Sequence, residues 1–178
     1  MASISWNKEV DIIDDNLYYM NELMQDPVAE ETLNKWKDWV ECNLNKILSQ
    51  YMIPEGMIIQ AGVWNGDFYS VLKNIFGKER CVGFDIVKYI EDDSVIYSDF
   101  RDLKDEHQFP CALFYNGMGN WLYNKKSKTS GLEYAKRNLI QGGLYLDSIH
   151  MDTTILKDVE GLNYMATYDD RLIILRKE

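Results

Sequence analysis

No apolar run in this 178-residue chain approaches the roughly 20 residues of a membrane-spanning helix, so no membrane partner is expected. The opening MASISWNKEVDIIDD lacks the basic stretch and apolar run of a secretory signal, and a cytoplasmic location is the expectation. Cysteine is scarce: Cys42, Cys81 and Cys111 are odd in number and widely spaced, which suggests neither a disulfide framework nor a metal-ligand pattern. Cys81 and Cys111 lie in apolar runs and read as small core residues. Internal repeats and low-complexity segments are absent. Positive charge is also in short supply, with 19 Lys and Arg against 29 Asp and Glu, a net charge of −10. So acidic a surface repels phosphate backbones and argues against a nucleic-acid partner. The local exception, YNKKSKTS (123–130), reads as a solvated loop, with an anion or acidic-partner contact as its sharper alternative.

What the chain does have is an ordinary hydrophobic content of 46%, enough for one domain with a full core. Residues 6–50 read as helical. Pro27 suits a first helical position with Asp26 as N-cap, and Leu33, Trp36, Val40, Leu44 and Ile47 (or Leu48) recur at helical spacing as a core face. IPEG (53–56) breaks the helix.

From Gly56 the pattern alternates. MIIQAG (57–62), RCVGFDI (80–86), SVIYSD (94–99), CALFYN (111–116) and GGLYLDS (142–148) read as strands, with helices at 67–76 and 130–139 between them. Alternation of this kind implies a parallel sheet covered on both faces. LNYMATY and RLIILRK flank Asp169 and Asp170 as a hairpin. The expected fold is α/β and Rossmann-like: a three-layer sandwich with a seven-stranded, mostly parallel sheet and an antiparallel C-terminal hairpin. An N-terminal helical extension (1–55) precedes the compact 56–178 unit.

The loop in IIQAGVWNGDF (58–68) sits at the carboxyl end of the first strand, where open parallel sheets bind ligands. Gly62 and Gly66 permit positive φ or close backbone approach, and the next helix offers free N–H groups. Trp64 stands where such a loop often carries its middle glycine. Asp85 ends the next strand, 19 residues after Gly66, placed to accept from ribose hydroxyls; the bland alternative is a solvated strand end or N-cap. As an exposed tip it should add little to stability. At the third strand's end, Asp99 is placed to accept from an adenine amino group and Phe100 to pack on the ring.

In their order, IIQAGVWNG, VGFD, YSDF, ALFYNG, GGLYLDS and the hairpin resemble the class I S-adenosylmethionine-dependent methyltransferases over about residues 56–177. QAGVWNGDFYSVL is most similar to the macrocin O-methyltransferase-like branch. The resemblance implies S-adenosylmethionine as cofactor, with Gly62 and Gly66 near its methionine moiety and Asp85 on its ribose. Asp99 and Phe100 would then take its adenine, and Trp64 would lean on the cofactor or on the N-terminal helices. Gln60 replaces the acidic residue that usually opens the first motif; a neutral amide still hydrogen-bonds but lacks the charge attraction. Asn116 replaces the branch's first metal-binding aspartate, leaving Asp147 followed by Ser148, a poor Mg²⁺ site, so no metal is expected.

Methyl transfer needs alignment of nucleophile and methyl, with help in removing a proton. Asn116, Asp147 and His150 fall at strand ends as catalytic candidates, His150 as a general base or, in its bland alternative, as an exposed loop histidine. Tyr115, Trp121 and Tyr123 are either acceptor-pocket or core aromatics, and His107 reads as a surface-loop residue. The fourth strand does not continue as NPPY, the motif often found in DNA and protein-amide N-methyltransferases. These readings favour a small-molecule acceptor, methylated at oxygen. The competing readings are a catalytically silent S-adenosylmethionine-binding partner or regulatory domain and, less well supported, a nicotinamide-dependent oxidoreductase. The N-terminal helices should cover the cofactor end of the sheet as an acceptor lid; their alternative role is a homo-oligomer interface.

Overall fold

Proline, glycine and the hydrophobic period set the element boundaries in the computed structural model, which describes residues 27–85, 88–98, 105–117, 125–148, 159–168 and 172–178. Helix α1 (Pro27–Gln50) opens on Pro27, where proline forfeits no intrahelical bond. Residues 6–26 of the expected helical region, Asp26 included, lie outside the described residues, as do the side chains of Leu33, Trp36 and Val40. Leu44 and Ile47 are fully buried, so the later half of the expected stripe does face the core.

The strands are β1 (Met57–Ala61), β2 (Cys81–Asp85), β3 (Val95–Tyr97), β4 (Cys111–Asn116), β5 (Leu139–Ser148), β6 (Leu162–Tyr168) and β7 (Leu172–Lys177). They form one seven-stranded sheet in the order β3-β2-β1-β4-β5-β7-β6. β1 to β5 pair in parallel, and β7 is antiparallel to both β5 and β6, so the expected mixed sheet with its closing hairpin is what forms. Helix α2 (Asp67–Phe76) links β1 to β2, and α3 (Lys125–Asn138) links β4 to β5.

The central strands are continuously apolar because both faces are covered. On one face Leu44 and Ile47 of α1 and Tyr69 and Leu72 of α2 pack over Ile58, Leu113, Leu144 and Ile174. On the other, Tyr134 and Ala135 of α3 pack over Ile59, Phe114, Tyr145 and Ile173. Each fully buried aliphatic or aromatic side chain of this kind contributes about 1.5–3 kcal/mol. Cys81 and Cys111 are buried among them, as expected.

Two local expectations are corrected. The basic stretch is not a loop throughout: the backbone is helical from Lys125. Lysine is a good helix former, whereas the apolar period that signals this helix begins only near Leu132. The fifth strand starts at Leu139 rather than at Gly142. Gly142 has φ 79°, and the register against β4 shifts between Cys111 and Leu113, so the glycine pair marks an irregularity inside the strand.

Besides packing on the Ile58 face, α1 makes two polar contacts near the carboxyl ends of the parallel strands. Lys37 Nζ lies 4.0 Å from Asp67 at the start of α2, and Gln50 accepts a hydrogen bond from the Tyr168 hydroxyl at the end of β6. No helix among the described residues is long and apolar enough to cross a membrane.

Candidate functional site

β1 lies inside the sheet, and the chain leaves it towards β2 and β3 on one side and β4 on the other, a topological switch point. The loop that follows takes three left-handed residues in five: Gly62 (φ 75°), Trp64 (φ 52°) and Gly66 (φ 84°). Trp64 is the only non-glycine residue with positive φ among the described residues. A side chain in that conformation costs about 1–2 kcal/mol, which is why glycine usually stands there. Gly66 N–H closes the turn onto the Val63 carbonyl at 3.0 Å, and its own carbonyl accepts from Ser70 N–H in the first turn of α2.

Three hydrogen bonds brace the loop from the sheet. Gly62 N–H donates to the Phe84 carbonyl at 2.8 Å. Trp64 N–H donates to Asp85 Oδ2 at 2.8 Å. Gln60 Nε2 donates to the Gly62 carbonyl at 3.0 Å. Gly83 makes room for the arrangement: a Cβ there would fall 2.5 Å from Val63 Cγ2 and 3.4 Å from the Tyr69 ring. The seat for Val63 is therefore the missing side chain of the neighbouring strand.

Asp85 is half-buried rather than fully exposed. Burial, with the Asp85 carboxylate as the second cause, pushes the Tyr89 hydroxyl up to about 12. Segment 88–94 folds against the loop: Ile90 Cδ1 would be 3.0 Å from a Cβ on Gly66, and the Ile90 carbonyl accepts from the Tyr97 hydroxyl at 2.6 Å. Asp92 anchors the segment by pairing with Lys73 of α2 and accepting from the Ser94 N–H (3.0 Å) and hydroxyl (2.6 Å). Burial alone would raise the Asp92 carboxyl; the Lys73 and Ser94 bonds outweigh it and hold the group at about 2.

Asn116 and Asp147 sit side by side in register at the ends of β4 and β5. They do not open to solvent as strand tips: Asn116 is 0% and Asp147 1% exposed. Alternation puts them on the α3 face with Tyr145, whose hydroxyl donates to Asp147 Oδ2 at 2.7 Å. Asn116 Nδ2 donates to the same oxygen at 3.0 Å and lies 3.2 Å from the Tyr145 hydroxyl. Burial, reinforced by Asp147, drives the Tyr145 hydroxyl well above its ordinary range, so it acts as a fixed donor. The Asn116 Oδ1 and Gln60 Oε1 atoms are buried without a partner among the described residues.

Gln60, Gly62, Trp64, Gly66 and Asp85 thus converge on one loop, while Asn116 and Asp147 form a separate buried pair. Asp99, Phe100, Trp121, Tyr123 and His150 lie outside the described residues. Tyr115 is a core residue, 2% exposed and 6.2 Å from Phe68 between ring centroids. His107 departs from a surface-loop reading: it ends a single helical turn, half-buried, with its carbonyl accepting from the Tyr134 hydroxyl at 2.6 Å. Among the described residues no three His, Cys, Asp or Glu side chains come together as metal ligands. Sequence reasoning missed Gly83 and Tyr145. A lone glycine within a strand signals close approach, and the two-residue spacing of Tyr145 from Asp147 puts both on one face.

The strand order and mixed sheet are those of the Rossmann-like methyltransferase fold. The chain is similar to the N-methyltransferase NodS from Bradyrhizobium japonicum WM9, at 13% identity and TM-score 0.53, covering 81% of this chain and 97% of that one. It is also similar to magnesium protoporphyrin IX methyltransferase ChlM from Synechocystis PCC 6803 with bound SAM, at 11% identity and TM-score 0.60, covering 86% and 85%. A protein assigned as a ribosomal RNA methyltransferase from Plasmodium falciparum matches at 12% identity and TM-score 0.51, covering 78% and 94%. No protein-family model matches the sequence. No curated protein matches it either. At these identities the likeness establishes the fold.

Proposed function

We propose that this chain is an S-adenosylmethionine-dependent methyltransferase acting on a small molecule at oxygen, in the manner of the macrocin-type branch its first motif resembles. The observation that carries the reading is the loop Gly62–Gly66: three left-handed residues at the carboxyl end of β1, braced by Asp85 from the tip of β2. The residues suit that cofactor. Asp85 supplies a carboxylate for ribose hydroxyls, and Gln60 Oε1 is a buried acceptor with no partner among the described residues.

Bound there, S-adenosylmethionine would supply a sulfonium methyl as electrophile. The protein's share is to hold, align and exclude water. α1, which touches Asp67 and Tyr168 through Lys37 and Gln50, is proposed to help cover the carboxyl ends. Asn116 and Asp147 are proposed to stiffen the ends of β4 and β5, while His150 remains the candidate base. The net charge of −10 favours a small hydroxylated acceptor over a nucleic acid.

The second reading, a silent binding or regulatory domain, is favoured by the neutral Gln60 and by the burial of Asn116 and Asp147. Titration calorimetry with S-adenosylhomocysteine and with NAD, followed by labelled S-adenosylmethionine with an acceptor panel, separates the cases. Methyl incorporation supports the enzyme, binding without incorporation supports the silent domain, and binding of NAD alone overturns both.

A further inference from the structure

We infer that Gln60 is a positioning residue that sets the glycine loop from beneath, and that it does so because it is an amide. Gly62 turns the chain with φ 75°, and Gln60 Nε2 meets its carbonyl at 3.0 Å. Gly117 flanks that oxygen closely: a Cβ at 117 would lie 3.1 Å from it. The other end of Gly62 is fixed by its N–H on the Phe84 carbonyl. Gln60 itself cannot drift, being 1% exposed and paired in the sheet with Gly83 and Tyr115. Its orientation is settled by chemistry, since the opposite amide rotamer would set two carbonyl oxygens against each other. A carboxylate at 60 would do the same with a full charge in a buried site, repelling the Gly62 oxygen. The substitution that loses charge attraction to a ligand therefore gains a donor for the loop.

The inference rests on the cofactor reading for its binding arm only. Of the titratable and charged side chains on the elements packed against β1, Tyr115 of β4 pairs with Gln60 in the sheet, Asp85 of β2 bonds the same loop at Trp64, Tyr69 of α2 packs on the Ile58 face, and Lys37 of α1 lies 4.0 Å from Asp67 at the start of α2. The experiment compares wild type, Gln60→Glu and Gln60→Met by amide hydrogen exchange without ligand and by S-adenosylhomocysteine titration, from about pH 8 to about pH 5. Protection of the Gly62, Trp64 and Gly66 amides should fall about tenfold or more in Gln60→Glu at the upper pH and recover as the acid takes up a proton and regains a donor. Binding should follow the same course. Gln60→Met, neutral and similar in size, should lose protection equally at every pH. If Gln60→Glu binds as tightly as wild type or tighter near pH 8, or if Gln60→Met keeps wild-type protection, the clamp is refuted. Should Gln60→Glu fail to fold, the Gln60→Met exchange decides alone. Absence of binding by wild type sinks the cofactor reading and leaves the exchange result standing.

Discussion

Asp85 Oδ2 accepts a 2.8 Å hydrogen bond from the backbone N–H of Trp64, joining the tip of β2 to the left-handed residue at the centre of the β1–α2 loop. One carboxylate thereby shapes the loop as well as ending β2 on the carboxyl side of the sheet. Any test of Asp85 must read both effects.

Asp85→Ala should weaken S-adenosylhomocysteine binding by about 1.5–3 kcal/mol, the range for hydrogen bonds to a charged group, or roughly 10- to 150-fold. Stability should also fall, by about 1 kcal/mol, because the Trp64 N–H loses its acceptor. Asp85→Asn should lose less of both, since its carbonyl still accepts one bond. Calorimetry beside urea denaturation measures the pair; unchanged affinity in a folded Asp85→Ala protein removes the ribose role.

Trp64 is held at φ 52°, so what replaces it should matter by backbone preference before side-chain chemistry. Trp64→Asn should fold with stability within about 1 kcal/mol of wild type, because asparagine tolerates this region. Trp64→Val should be the less stable of the two by about 1–2 kcal/mol, since β-branching aggravates the clash. Denaturant midpoints rank them, and equal midpoints would mean that the loop relaxes out of the left-handed region.

Gly83→Ala places a methyl 2.5 Å from Val63 Cγ2 and 3.0 Å from Val95 Cγ2. Overpacking of this kind costs about 1–3 kcal/mol. The displaced Val63 should carry the loop with it, so ligand affinity should drop along with thermal stability. The paired change Gly83→Ala with Val63→Ala should recover part of the stability, which a double-mutant cycle reads directly.

Asp92 supplies a pH dependence of known sign. Its folded carboxyl, at about 2, lies below the ordinary 3.8. A depressed acid stabilises the fold above its unfolded value, and that contribution is lost as pH falls from about 4 through 2. With the side chain 20% exposed, the stake is discounted to about 1–2 kcal/mol. Asp92→Asn should be less stable than wild type at neutral pH and should close the gap as acid is added. Parallel stability curves down to about pH 2 would remove the Lys73–Asp92 anchor as the cause.

Much of the fold was legible because burial on two faces writes continuous apolar strands, and glycine punctuates them. The run from Met57, the pair Asp169–Asp170 between the last strands, and Pro27 at a helix start all carry such signals. The site was legible only in part. Gly62, Gly66 and Asp85 announce themselves by type and spacing, whereas the left-handed Trp64 does not, because its conformation is imposed by Asp85 and the turn around it. Asn116 and Asp147 were placed at strand ends correctly in sequence, but which face they take follows from Phe114 and Tyr145 two residues before them. The helix from Lys125 carries little apolar period in its first turns, which left it reading as a loop.

The order β5-β7-β6 has a consequence for how the chain is made. β6 leaves the ribosome before β7 yet has no place in the sheet until β7 has docked on β5, for among the described residues it pairs with β7 alone. During synthesis Leu162–Tyr168 must therefore wait as an unpaired segment, and Ile173 to Leu175, which are fully buried, provide the wedge that admits it. Lesions in β7 should then show first as aggregation of newly made protein through this stranded segment, ahead of any effect on the mature fold.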